Sequence, residues 1–291
     1  MESERKQPAR KARIVRTVAG SVLGFVAAVC LTVSVLCFTL LWTASESHMH
    51  ASLKNVNYPE AIVPYLEEEL NELAIPSGLP DHFFTGKTDV SVLESILNGS
   101  VRANYAGESF SPDTAALAAE LRETFWAYAE SEGITASEEA VESLTVLCVN
   151  QYIRTGSPTA FAYLAGYAQK ITPYVRIAAI VALAAAAGLI VYLLRIRMRQ
   201  MVFCAAGGAG AMLFTLPLIL LLTGAIGSLG LSPEPVRLFA VDYLTKPLIV
   251  LTVAGGILLL AAVVLTVLFA RRPERVKPAP AADEAGPETA E

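Results

Sequence analysis

Four stretches of the chain are almost continuously apolar, whereas the long segment between the first two places its apolar residues at helical spacing. The continuous stretches cover residues 18–42, 173–194, 201–223 and 247–269. Each is near or above the roughly 20 residues that a helix needs to cross a hydrocarbon layer of ~30 Å. Backbone amides find no water in lipid, so runs this long and uncharged are expected to be membrane-spanning helices. The fold class read from this pattern is an all-α polytopic membrane protein, with four transmembrane helices plus an all-helical extracytoplasmic domain.

The domain between the first two spans, residues 43–172, is punctuated as helices. Ser111-Pro112-Asp113 predicts a helix start, with serine as the cap and proline in the first turn, and Gly133 predicts its stop. Thr135-Ala-Ser-Glu138 reads as a capping box for a second helix ending near Arg154, with Gly156 as its stop. Ser157-Pro158 opens a third, and Thr172-Pro173 opens the second span in the same way. Upstream, 59–73 and 88–97 read as shorter helices, the latter stopped by Gly99. Leu117, Leu121, Phe125 and Tyr128 form one apolar stripe, and Val141, Leu144, Cys148 and Tyr152 form another. Alternating strand patterns of any length are absent.

Charge orders these segments across the bilayer. The tail 1–17, the hairpin 195–200 and the tail 270–291 hold 13 of the 22 Lys and Arg residues. Basic loops resist translocation, so both termini and the hairpin are expected in the cytoplasm of a plasma-membrane protein. Residues 43–172 and the short loop 224–246 then face outward. A cleaved signal peptide is the competing reading of the N-terminus, but the apolar run is longer than the 7–15 residues of a signal core. The tail from Arg271 is rich in Pro, Ala and Glu and is expected to be disordered.

The outer segment 43–172 contains 18 acidic and 6 basic side chains. A solvated surface kept soluble near an anionic membrane is the simpler meaning; the sharper one is a surface for basic peptides or divalent cations, and either disfavours nucleic acid and anionic lipid headgroups. Its single cysteine, Cys148, excludes an internal disulfide, so the domain must rest on its own apolar core. Cys148 lies in an apolar run and reads as a buried small hydrophobe.

Patterns for chemistry are weak. Gly86-Lys87-Thr88 matches only the end of a phosphate-binding loop, with Asp81 where the first glycine belongs. His48-Met49-His50, with His82 as a third ligand, could hold a soft metal, but a polar linker is the simpler meaning. Asp81-His82 and Ser91 would be the raw material of a hydrolase, without any local nucleophile signature. Glu67-Glu-Glu69 with Glu72 lacks the Asp/Asn-rich loop of a calcium site. Asn98-Gly99-Ser100 fits the glycosylation acceptor pattern, which matters only in a host that glycosylates secreted chains. No catalytic, cofactor-binding or metal-ligating set is assigned.

The spans carry no ionisable side chain at their centres, which counts against coupled ion transport. They carry small residues instead: Ala184-Ala-Ala-Ala-Gly188, Gly207-Gly-Ala-Gly210 and Ala254-Gly-Gly256. Small residues let helices approach closely in lipid, as expected for a tight four-helix bundle, for homo-oligomers or for docking on another membrane protein.

Leu70-Asn-Glu-Leu-Ala-Ile-Pro-Ser-Gly-Leu79, followed by an acidic helical stretch and three spans, resembles a group of bacterial membrane proteins of Gram-positive, clostridial type. The resemblance implies a bacterial plasma membrane, where the glycosylation pattern has no meaning, and brings no activity, ligand or site residue. The function expected from the whole sequence is non-catalytic, with the acidic domain or the small-residue spans binding a protein partner or signal beside the lipid bilayer. A subunit of an oligomeric transporter or channel is the alternative, and an extracytoplasmic hydrolase a third.

Overall fold

A computed structural model of the chain describes residues 2–270, with side chains over 15–268. Within these residues the helices are α1 (Glu2–Thr43), α2 (Glu46–Asn55), α3 (Tyr58–Ala74), α4 (Val90–Ala106), α5 (Ala115–Ser131), α6 (Glu138–Gly156), α7 (Thr159–Arg195), α8 (Arg199–Leu222) and α9 (Glu234–Ala270), with a 3₁₀ turn at Ile75–Ser77. No strand forms among the described residues. The tail expected to be disordered lies outside them.

Four helices are long and apolar enough to cross a membrane: α1 over Val15–Thr43, α7, α8, and α9 over Glu234–Leu268. The protein is therefore an all-α, multi-pass membrane protein. α7 and α9 each run 37 residues, roughly 55 Å at 1.5 Å per residue and far more than a bilayer core requires. Their first turns stand in the domain outside the spans.

This continuity departs from the sequence reading. Thr172-Pro173 does not open a new helix, because Pro173 lies inside α7. Proline removes one amide donor but a long packed helix can pass through it when neighbouring groups compensate. The Thr172 hydroxyl donates to the Ala168 carbonyl at 2.7 Å in the same turn. The segment read as an outer loop, 224–246, also divides, since α9 begins at Glu234 and contains Pro247.

The spans pack mainly in the order α7, α1, α8, α9, with α1 and α8 as the central pair. Along their spanning parts α7 and α9 pack little on each other, so the assembly is nearer to an open row than to the closed bundle expected from the small residues. Ala27 and Ala28 of α1 meet Ala205 and Ala209 of α8 in a buried cluster. α8 and α9 cross backbone to backbone: a Cβ on Gly255 would lie 2.5 Å from the Phe214 amide nitrogen, and one on Gly210 would lie 2.9 Å from the Gly255 carbonyl. At the opposite end from the outer domain, the Arg16 guanidinium donates to the Ile196 carbonyl at 2.6 Å. The start of the α1 span and the α7–α8 hairpin thus share one end of the row.

The domain of α2–α6, the outer domain of the charge reading, is layered on the row. α2, α3 and α4 pack against α7 or α9, α6 packs on α3 and α4, and α5 packs on α6. Its core includes Leu66, Leu70, Leu93, Leu97, Phe125, Leu144 and Tyr152, all buried. Tyr58, Phe161 and Phe239 form an aromatic trio with centroids 5.0–6.2 Å apart, tying α3, α7 and α9 into one core. Cys148 is fully buried there, and burial pushes its thiol up to about 12, so it stays protonated.

Helix ends follow local chemistry more finely than the sequence reading had them. Gly133, with φ of 66°, closes α5 as expected, and the Ile134 amide donates back to the Ala129 carbonyl at 2.8 Å. α6 is capped by Ser137 rather than Thr135, its hydroxyl accepting from the Ala140 amide at 3.2 Å. Glu138 and Glu139 then fall in the first turn, beside the positive end of the helix. Gly99 does not stop α4. It sits inside the helix because a Cβ there would come within 2.8 Å of the Phe110 ring, and the helix ends instead at Gly107, with φ of 75°.

Candidate functional site

Two features of the outer domain stand apart from ordinary packing. The first is the seam where it meets the spans. Ser45 caps α2 by accepting from the His48 amide, and that helix turns back over the outer end of α1. His48 is buried between two rings, 4.4 Å from the Trp42 centroid and 4.7 Å from that of Tyr243. Its Nε2 lies 3.1 Å from the Tyr243 carbonyl. A carbonyl only accepts, so Nε2 carries the proton.

That carbonyl needs a partner for a reason written in the sequence. Within a helix it would accept from the amide four residues on, and that residue is Pro247, which has none. His48 takes the place of the missing donor. The Tyr243 hydroxyl donates to the Thr43 carbonyl at 2.7 Å, closing the end of α1 onto α9. Asp242 and Lys246 pair at 2.8 Å one turn apart beside the ring. Burial lowers the His48 pKa from its ordinary 6.5, the Tyr243 carbonyl and Asp242 oppose that, and Lys246 reinforces it. Nδ1 is buried without a hydrogen-bond partner, consistent with a neutral ring. The arrangement is a hydrogen-bonded weld between α1, α2 and α9.

The second feature is a groove of about 360 Å³ between the α3–α4 connection and the α5–α6 hairpin. Phe125, Val141 and Leu144 form its floor, and Ile134 and Leu147, each about half exposed, stand at its rim. Ala129, Ala136 and Ala140 line it, and their small side chains leave the space open. Leu79 enters from the turn that follows α3, where Gly78 adopts φ of 83°. Only glycine takes that conformation at little cost. Ser77, Gly78 and Leu79 therefore build one wall of the groove.

The groove lies on an acidic surface. Residues 113–153 contain eight carboxylates and one base, Arg122. Arg122 is bonded to Glu142, so it offers little free positive charge.

The residues singled out in sequence do not assemble into a reactive set. His48 is buried in the seam, His50 pairs with Glu46 at 3.5 Å, and His82 is exposed beside Asp81 at 3.7 Å. No cluster of three metal-ligating side chains occurs among the described residues. The Ser91 hydroxyl donates to Asp89 at 2.9 Å within the cap of α4. Glu67 accepts from the Gly86 amide at 2.9 Å and from the Thr88 amide at 3.4 Å, so a carboxylate already occupies the turn that resembled a phosphate loop. Ser100 of the glycosylation pattern is buried and shares a hydrogen bond of 2.6 Å with Ser157.

The seam and the groove were both missed in sequence. A signal for the seam exists in retrospect: Ser45 as a cap, Met49 and Leu53 one turn apart, and a proline that orphans a carbonyl. The pairing itself joins residues 195 positions apart, which local patterns do not reveal. No protein-family model, curated protein or solved structure matches the chain.

Proposed function

We propose that this is a non-catalytic integral membrane protein whose acidic outer domain binds a protein partner and passes that event to the spans. The observation that carries the reading is the placement of the groove. It opens on the outermost layer of the domain, while the innermost layer packs on α7 and α9, which run without a break from the domain into the spans. A partner at the groove would bear on α6, α6 on α3 and α4, and these on the long helices. The compartment, a bacterial plasma membrane, is taken from the Leu70–Leu79 resemblance, and the cytoplasmic placing of both termini from the basic residues.

Purification in mild detergent from the native host, with crosslinking and mass spectrometry, tests this. A stoichiometric partner linked to the outer domain is the expected result. Recovery of the chain as a homo-oligomer with no partner, together with solute flux in proteoliposomes, would contradict it. That outcome is the second reading, a transporter or channel subunit. It is favoured by the open row, whose outer helices α7 and α9 leave apolar faces for another copy.

A further inference from the structure

We infer that the α5–α6 groove seats a cationic amphipathic segment of the partner, one that inserts apolar side chains over Val141 and Leu144 and sets Lys or Arg against the surrounding carboxylates. This rests on the partner-binding reading above and names the chemistry of the partner. Three observations select the occupant. The floor and rim are apolar, so a purely polar peptide would leave Ile134 and Leu147 in water and gain only surface charge contacts.

The charge around the groove has one sign. Glu130, Glu132, Glu138 and Glu139 flank its lining residues along the chain; of the two bases on the hairpin, Arg122 is bonded to Glu142 and Arg154 stands in the last turn of α6, outside the groove lining. A fatty acid, an anionic headgroup or an acidic peptide would bring like charge to this surface. Charge complementarity of this kind raises the encounter rate and rejects the wrong partner. Finally, the groove has a volume of about 360 Å³, near the lower end of the range for small-molecule sites. It lies open along the hairpin, a shape suited to a few side chains of a longer segment.

The test uses the full chain in nanodiscs of phosphatidylcholine, a zwitterionic lipid, with empty discs as the blank. The probe is a fluorescent Leu/Lys amphipathic peptide followed by anisotropy. Two comparison peptides keep its length, one replacing Leu by Ser and the other Lys by Glu. Saturable binding of the Leu/Lys peptide is expected, with both comparison peptides weaker by on the order of tenfold or more. Ala140→Trp, which fills the groove, is expected to weaken binding by a similar factor. The pair Glu130→Lys and Glu132→Lys should weaken it and flatten its salt dependence. Tyr163→Ala, an exposed change on α7, should leave it unaltered.

Absence of saturable binding would overturn the assignment, as would equal affinity for the Ser/Lys or the Leu/Glu peptide. Binding unchanged in a folded Ala140→Trp protein would also overturn it. If Ala140→Trp fails to fold, Ser143→Arg makes the same test by placing a cation at the groove. A native partner crosslinked elsewhere on the outer domain would defeat this assignment and leave the partner reading standing. Recovery of no partner would defeat both.

Discussion

The outer domain and the row of spans are both helical, yet they are held together by opposite kinds of residue. In the outer domain the contacts are made by large side chains such as Tyr58, Leu66, Leu70, Leu93 and Phe125. Between the spans they are made by Ala27, Ala28, Ala205 and Ala209, and by the glycines of the α8–α9 crossing. Many large apolar residues of the spans, such as Ile177, Val181, Leu216 and Leu260, point outward instead, although Leu193 and Leu213 are buried. The solvent explains the inversion. In water, burying apolar area drives folding at about 25 cal/mol per Å². In lipid that drive is absent, and helices hold by close van der Waals approach, which small residues permit.

The comparison can be broken from either side. The largest effect is expected in the outer core, where Leu66 is fully buried. Leu66→Ala should cost about 2–5 kcal/mol, read as a lower unfolding temperature of the outer domain, while the spans remain associated. The same loss of volume at an exposed span residue, Leu260→Ala, should change little.

The converse substitution adds volume. Gly255→Ala places a methyl against the Phe214 backbone and should destabilise the α8–α9 crossing by about 1–3 kcal/mol. Cysteine crosslinking between α8 and α9 should fall, with the outer domain's unfolding unaltered. A neutral result would mean that the crossing tolerates separation and that small residues there are incidental.

The seam belongs to both regimes. His48→Leu removes the donor to the Tyr243 carbonyl, and an unsatisfied buried group costs about 1–3 kcal/mol. His48→Gln offers an amide donor in place of Nε2 and should recover part of that loss. His48 holds a proton less readily when folded than when unfolded, because burial lowers its pKa below 6.5. The seam's stability is therefore complete above that value and drains as pH falls below it. Thermal unfolding should show this acid loss in the wild type, and His48→Gln should lack that component.

Smallest of all is the surface. Arg122→Ala removes the pair with Glu142, whose side chains are 44% and 52% exposed. Exposed pairs contribute about 0–1 kcal/mol, so the unfolding temperature should barely move.

The spans and the helical character of the outer domain were legible because both depend on composition and on a period of 3.6 residues. Caps were legible to within two or three residues: Ser137 caps α6 where Thr135 was read, and Thr114 precedes α5 where Ser111 was read. Stops were less so: glycine also marks close approach, which is its role at Gly99 against Phe110, whereas Gly156 both packs on Ile96 and ends α6 as read. Prolines misled because α7 and α9 are long and well packed enough to carry Pro173 and Pro247 inside them. The groove depends on which alanines of α5 and α6 face each other across the hairpin, a matter of tertiary register. The acidity around it was visible, but not the apolar surface beneath.

Relay from the outer domain to the spans requires that the two regions move as one body, and a distance measurement tests this most directly. Spin labels at Glu139 of α6 and Gln200 of α8 are both exposed. Cys30, Cys37 and Cys204 are replaced, while Cys148 stays buried and protonated. Pulsed dipolar spectroscopy in nanodiscs should give one narrow distance population. A broad or two-peaked distribution would show the outer domain pivoting on the spans and would contradict the account.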